Sequence, residues 1–365
     1  MNLHRCIRHA SKSIIEETRG LSIGTRVADH SGICYAANMS VLLPTARPDD
    51  EPVDRRLRPT SFATYVGQKH VIDSLQLSVT AAKTRGESID HVLLYGPPGL
   101  GKTSLAYILA NELGTSLRVS SGPALTRGGD VAALLTSLQP GELLFIDEIH
   151  RLPRTAEEVL YPALEERCID ITIGKGPAAR SIRLDLPPFT LVGATTKAGA
   201  LSQPLRDRFG IAHRLDFYEV DELASIIARS SFQLGVEITD EAVSYLAERA
   251  RRTPRIANRL LRRSFDYATV QASDTITLDI ARIALNHAEI DDAGLDRLDR
   301  QFLTILGTQF SGGPAGLETL SAATGEDSET LERVVEPYLL RLGLIDRSPR
   351  GRMLTPAGKA YLGVS

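Results

Sequence analysis

The stretch HVLLYGPPGLGKTSLAYILANEL, His91 to Leu113, decides how the rest of the chain is read. Val92, Leu93, Leu94 and Tyr95 form the short apolar run of a buried strand, and Leu105, Ile108, Leu109 and Leu113 then recur at helical spacing. Between them Gly96 to Thr103 reads GPPGLGKT, which meets the spacing G-x-x-x-x-G-K-[ST] with the flanking strand and helix that spacing needs. The glycines let successive N–H groups turn inward on phosphate oxygens, and the positive end of the following helix adds to the attraction. On this reading Gly99, Gly101, Lys102, Thr103 and Ser104 cradle the phosphates of ATP. Lys102 neutralises the β and γ groups, and Thr103 offers its hydroxyl to Mg²⁺.

A phosphate loop needs a second strand ending in carboxylates, and Glu142 to His150, ELLFIDEIH, supplies one. Four consecutive apolar residues, Leu143 to Ile146, mark a parallel strand covered on both faces. Asp147 is placed to hold Mg²⁺ through water, and Glu148 to orient or deprotonate the water that attacks the γ-phosphate.

Composition narrows the rest. With 365 residues and 42% hydrophobic content, two or three domains with buried cores are expected. A net charge of −3 excludes a polycation, so contact with nucleic acid requires a local basic surface. No apolar run reaches membrane-spanning length. Cys6, Cys34 and Cys168 show no metal-ligand spacing, and a reducing, cytoplasmic setting is expected.

The pattern divides the chain into five segments. Residues 1–38 lack periodicity and precede a second methionine, Met39, so they read as an extension upstream of the functional start. Residues 39–54, with Pro44, Pro48, Pro52 and several acidic groups, read as a flexible lead-in. Strands alternating with helices over 55–218 predict an α/β domain, a parallel sheet flanked by helices. Within it YPALEER reads as a turn, and Ile171 to Leu184 as a hairpin with its tip at Gly174, Gly176 and Pro177. Residues 219–292 turn helical, with a start signal at Thr239-Asp240. Residues 293–365 predict three helices and a hairpin, LIDRSPRGRMLT, with a basic tip: a winged helix.

LRPTSFATYVGQ, GPPGLGKT, LLFIDEIHRL, GPAARSI, LPPFTLVGATT and PLRDRFG occur in one order that resembles the RuvB family of AAA+ motors for Holliday-junction branch migration. The similarity runs from Arg56 to the C-terminus. It implies an AAA+ sheet domain, an all-α lid and a DNA-binding winged helix. Leu57, Arg58 and Tyr65 then match the family's adenine-side contacts, and Glu165, Glu166 and Arg167 a segment near the nucleotide. Thr195, or its neighbour Thr196, matches the sensor hydroxyl at the γ-phosphate. Tyr218 matches a hinge contact, and Arg255 a lid arginine that reaches the phosphates from a helix start after Pro254. Relatives carry glycine where Arg252 stands, at a turn that favours positive φ. Arg249, Arg251, Arg259, Arg262 and Arg263 read as a solvated helix face, with a basic stripe as the other choice.

By the same resemblance Arg208, with Arg206 as runner-up, is a guanidinium lent to a neighbour's γ-phosphate, which requires a ring. Arg347, Arg350 and Arg352 become contacts to DNA phosphates. The implied partners are double-stranded DNA at four-way junctions, copies of the chain in a hexameric ring, a RuvA-type junction binder docked on the hairpin and a RuvC-type resolvase. A different class of function stays open: a nucleotide-dependent loader or binding switch on DNA without sustained translocation. Glu148 argues for turnover, because a pure switch can dispense with a hydrolytic carboxylate.

Overall fold

The computed structural model describes residues 56–173 and 180–364. The extension, the acidic lead-in and the hairpin tip at Gly174, Gly176 and Pro177 lie outside the described residues.

Five parallel strands form the central sheet in the order β2-β3-β6-β1-β7. They are β1 (Val92–Tyr95), β2 (Leu117–Ser121), β3 (Leu143–Asp147), β6 (Thr190–Thr195) and β7 (Ile211–Arg214), with β4 (Cys168–Ile173) and β5 (Arg180–Asp185) paired as a separate antiparallel hairpin. Strand alternation sorts the side chains into two layers. Val92, Leu94, Leu143 and Phe145 pack with α1 (Lys69–Arg85) and α2 (Lys102–Leu113). Leu93, Leu144 and Ile146 pack with α3 (Gly128–Thr136) and α4 (Arg154–Glu165). Burial on both faces is why these strands read as continuous apolar runs.

YPALEER differs from the expected turn. Its first five residues close α4, with Pro162 inside the helix and Leu160, Ala163 and Leu164 buried. Three buried side chains on one helical face outweigh the lost backbone donor of one proline.

After a short helix, α5 (Gln203–Arg206), the lid comprises α6 (Val220–Leu234), α7 (Asp240–Glu248), α8 (Pro254–Val270) and α9 (Leu278–His287). A two-residue parallel pairing of β8 (Glu237–Ile238) with β9 (Thr275–Ile276) interrupts its otherwise helical make-up. Thr239 caps α7 by accepting from Ala242 N–H at 3.3 Å, as the start signal predicts. Leu223, Ile226, Leu246 and Leu260 belong to the same buried cluster as Val92 and Leu105, so one core runs from the sheet domain into the lid.

The C-terminal domain has its own core around Phe302, Leu306, Leu339 and Ile345. It comprises α10 (Arg297–Thr308), α11 (Leu317–Thr324), a composite helix α12, the wing strands β10 (Ile345–Ser348) and β11 (Gly351–Leu354), and α13 (Pro356–Leu362). In α12, Ser328–Thr330 leads through a π-helical turn, Leu331–Val335, into Glu336–Arg341.

Arg249, Arg251 and Arg259 are buried, so the expected solvated face is not what they form. Arg249 lies 3.6 Å over the Tyr245 ring and pairs with Asp292 at 3.1 Å. Arg251 crosses from the lid to the winged helix, where its guanidinium engages Asp299 and lies 4.8 Å from the Tyr338 ring centre. Arg251 and Arg252 both hold positive φ, 51° and 59°, a strained turn that would favour glycine.

Burial pushes the Asp299 carboxyl up to about 8, against the pull of Arg251. The folded chain therefore holds a proton that an unfolded carboxylate, near 3.9, releases. The stability from this group is full below about pH 4 and is lost as the pH rises towards 8. Thermal unfolding midpoints measured between pH 5 and pH 8 should fall less steeply for Asp299→Asn than for the unaltered chain.

Candidate nucleotide and DNA sites

The loop after β1 enters α2 through Gly101, at φ 96°, where an added Cβ would lie 2.6 Å from the Tyr65 hydroxyl. Glycine is required there by both conformation and space. Lys102 follows, only 7% exposed, and its ammonium donates to the carbonyls of Gly96 and Pro97 at 2.8 Å each. Burial lowers it to about 8, while Asp147 pulls in the opposite direction. A buried cation at a helix start, beside loop N–H groups, is a receptor for a polyphosphate.

The facing side of the cleft comes from the ends of β3 and β6. Asp147 Oδ1 accepts the Glu148 N–H at 2.9 Å, and Glu148 adopts φ 48°, a left-handed conformation uncommon outside glycine. Glu148 pairs with Arg151 at 3.1 Å. Its carbonyl leaves no room below: a Cβ on Gly122, just past β2, would stand 2.3 Å from the Glu148 oxygen. Gly122 thus seats the turn that carries Glu148, a requirement invisible in the sequence because the two residues are neighbours only through the sheet.

Of the two candidate sensor threonines, the structure brings Thr196 to the cleft. Its hydroxyl oxygen is buried with no partner among the described residues. Thr195, 1% exposed, instead bonds His150 Nδ1 at 2.9 Å and accepts from Lys197 N–H at 3.0 Å.

The cleft encloses about 320 Å³, and Leu57, Arg58, Tyr65, Gly99, Gly101, Lys102, Thr103, Ser104, Asp147, Glu148, Tyr218 and Arg255 all line it. At its far end Tyr218 donates to the Tyr65 hydroxyl at 2.9 Å, and Tyr65 donates to the Leu100 carbonyl at 3.3 Å. Burial pushes the Tyr65 phenol up to about 12, so it stays a neutral donor. Arg255 opens α8, and its N–H reaches the Gly99 carbonyl at 3.4 Å, tying lid to phosphate loop. Arg229 and Asn258 also line the cleft and were not expected. Both belong to lid helices whose pattern signals only packing.

Arg206, Arg208, Glu165, Glu166 and Arg167 do not line this cleft. Arg208 pairs with Glu165 at 2.8 Å and lies 4.7 Å from the Tyr161 ring centre. Arg206 donates to the Ala198 carbonyl, and Glu166 pairs with Arg183 at 3.0 Å. Arg208 meets Glu165 at the end of α4, with Glu166 and Arg167 next in the chain, whereas Arg206 lies against Ala198.

On the wing, Arg350 is exposed at the β10–β11 turn. Arg347 is about half exposed and Arg352 only 16%, and both guanidinia engage Glu336, which is fully buried. The expectation that all three project outward therefore differs from the structure. A buried carboxylate must be paired, and these two arginines pair it.

Three family models match in chain order. They are the P-loop domain of the Holliday junction DNA helicase RuvB over 57–215, the RuvB AAA lid domain over 218–291, and the RuvB C-terminal winged helix domain over 292–363. The solved Thermotoga maritima RuvB, described as a Holliday junction branch migration motor, superposes with a TM-score of 0.77 at 48% identity, over 85% of this chain and 99% of that one. A mutant of the same protein gives 0.78 at 49% identity, with the same coverage. The chain belongs to the RuvB family. It is accordingly a nucleotide-binding P-loop ATPase with an AAA+ sheet domain, lid and winged helix.

Gly122→Ala should press on the Glu148 carbonyl, destabilise the fold by about 1–3 kcal/mol and lower kcat for ATP hydrolysis on the order of tenfold or more, one tenfold step being about 1.4 kcal/mol of barrier. Steady-state ATPase and thermal unfolding measure the two effects.

Proposed function

We propose that the chain is one subunit of a hexameric ring that encircles duplex DNA and uses ATP turnover to drive branch migration at four-way junctions, in recombination and repair. The observation that carries this reading is the separation of two half-sites on one subunit. The cleft holds Lys102, Asp147, Glu148 and Thr196, whereas Arg208 sits at the end of α4. A ring brings one subunit's Arg208, with Glu165, Glu166 and Arg167, to the cleft of the next.

The donor set suits Mg²⁺. The Thr103 hydroxyl and Asp147 carboxylate are hard oxygen donors lining the same cleft, and among the described residues no group of three or more His, Cys, Asp or Glu competes for a softer metal. Thr103 and Asp147 would hold the ion, which would offset phosphate charge there. Lys102 then holds the β and γ phosphates, Glu148 orients the attacking water and takes its proton, and Thr196 contacts the γ-phosphate. The neighbour's Arg208 stabilises charge on the transferred group. Leu57, Arg58, Tyr65 and Tyr218 enclose the base, and Arg255 couples lid position to the phosphates.

Arg350, with the exposed part of Arg347, supplies the phosphate contacts of the wing. Arg352 acts through Glu336, fixing the hairpin that presents them. A RuvA-type partner on the β4–β5 hairpin and a RuvC-type resolvase complete the assembly. The loader or switch reading is weaker, because Glu148 stands in the cleft beside Asp147.

Lys102→Ala and Arg208→Ala should each abolish hydrolysis, the first by loss of nucleotide binding and the second with binding retained. Mixing the two should restore DNA-stimulated ATPase, since sites on Arg208→Ala subunits receive an intact arginine from a Lys102→Ala neighbour. No recovery on mixing would refute sharing of sites between subunits. Arg347→Ala with Arg350→Ala should weaken duplex binding equally for all sequences and reduce the slope of log K against log salt by roughly 2, given about 0.9 per phosphate contact. Titrations at several salt concentrations test this.

A further inference from the structure

Three loop ends must keep their spacing for hydrolysis: those after β1, β3 and β6. Backbone pairing between β3 and β6 ends at Ile146 with Gly193, one residue before Asp147 and three before Thr196. Beyond that pair, Thr195 gathers the ends together. Its carbonyl accepts from Gly96 N–H, the first residue of the phosphate loop, at 3.2 Å. Its hydroxyl engages Lys197 N–H at 3.0 Å and His150 Nδ1 at 2.9 Å.

His150 lies in the single 3-10 turn, Ile149–Arg151, that follows Glu148. The direction of its bond follows from donor counting. The Thr195 oxygen already accepts from Lys197, and at 1% exposure its proton needs an acceptor within the protein, which Nδ1 supplies. The ring proton then resides on Nε2. The surroundings keep the ring neutral: burial disfavours the cation most, and Arg333, Lys197 and Arg151 add to it, against the pull of Glu148. His150 lines neither the cleft nor the cavity beside it.

We infer that His150 is a positioning residue for hydrolysis: the hydrogen bond from the Thr195 hydroxyl to its Nδ1 sets the spacing between Glu148 and Thr196, and so governs the rate of γ-phosphate cleavage without holding nucleotide. An apolar side chain of similar size would fill the space at lower desolvation cost, because Nε2 is buried without a partner among the described residues. What it would lack is the tie between the turn carrying the general base and the turn carrying the sensor hydroxyl. A shift of about 1 Å between such groups is enough to cost on the order of a hundredfold in rate.

The inference rests on the hydrolysis reading above, and wild-type turnover in the same assay tests that reading separately. In the full chain with duplex DNA, His150→Ala should lower kcat about tenfold or more, while KM for ATP and the affinity for ADP change less than about twofold. His150→Asn, whose amide oxygen can take the Nδ1 position, should recover most of kcat. Thr195→Val should reproduce the loss at nearly constant volume, and the double variant His150→Ala with Thr195→Val should be no slower than Thr195→Val alone. Histidine-ring ¹⁵N spectra should place the proton on Nε2. The inference is overturned by an unchanged kcat in His150→Ala, by nucleotide affinity falling in parallel with kcat, by multiplicative losses in the double variant, or by a proton on Nδ1.

Discussion

A parallel sheet delivers every strand to the same edge, and the ATPase domain depends on that constraint. The ends of β1, β3 and β6 carry Lys102, Glu148 and Thr196 to one cleft although about a hundred residues separate the first from the last. Proximity at this edge is held by short backbone bonds. Gly96 N–H reaches the Thr195 carbonyl at 3.2 Å, and Leu215 N–H reaches the Tyr95 carbonyl at 2.8 Å. The crowding has a conformational cost, seen in the left-handed Glu148 and in the absence of space for a Cβ on Gly122. The left-handed Glu148 is tolerated because Leu143 to Ile146 of β3, which lead into it, are buried and cannot yield.

The lid is bound into this arrangement at two levels. Its helices share a hydrophobic core with α1 and α2, so its resting position is set by apolar burial. Its polar contacts with the cleft, Arg255 to Gly99 and Tyr218 to Tyr65, are few and geometrically specific. The strained turn at Arg251 and Arg252 extends the link outward. Arg252 pairs with Glu219 at 2.6 Å beside the hinge, while Arg251 is buried against Asp299 in the winged helix. The winged helix also returns to the sheet domain, through Arg341 at 3.7 Å from the Phe217 ring centre and Lys197 at 3.7 Å from Glu329. A cavity of about 800 Å³ lies between these contacts, lined by Glu148 and Thr196 on one side and by α12 on the other. Movement of either domain therefore has a physical route to Glu148 and Thr196.

The sequence was most readable where function demands a fixed local spacing. GPPGLGKT and LLFIDEIH each declare strand, turn and chemistry within a few residues, and the structure seats Lys102, Thr103, Asp147 and Glu148 around one cleft. Legibility failed where the decisive neighbour is distant in the chain. Gly122 under Glu148, Asn258 and Arg229 at the cleft wall, and Glu336 beneath Arg347 and Arg352 are brought together only by packing. The choice between Thr195 and Thr196 could not be read either. Strand alternation places adjacent residues on opposite sides, and the point where β6 ends decides which hydroxyl reaches the cleft. Helix pattern misled for Arg249 and Arg251, because charge at helical spacing signals solvent until a buried carboxylate or ring partner is known.

The resting contacts of Arg208 bear on how a ring would switch. Its guanidinium is held by Glu165, and Glu165 is itself more than half exposed. Water and salt compete for Glu165, whereas Arg208 is only 18% exposed and also donates to the Pro204 carbonyl. Transfer of the arginine to a triphosphate exchanges one carboxylate for a group of higher charge in a cleft from which water is being excluded, where a charge-assisted, bidentate contact is roughly twice as strong as a neutral one. In the ring proposed above, that exchange would be favoured when a neighbour's nucleotide arrives and would reverse once the γ-phosphate is gone. The Tyr161 ring lies against the same guanidinium and helps to fix it. An arginine already held by an exposed carboxylate, a carbonyl and an aromatic face has lost most of its rotamer freedom, so in the proposed ring the ordering cost of reaching a neighbour would be small. A deeply buried pair would have made the arginine unavailable, and an unpaired one would have left it free to rotate away from the interface.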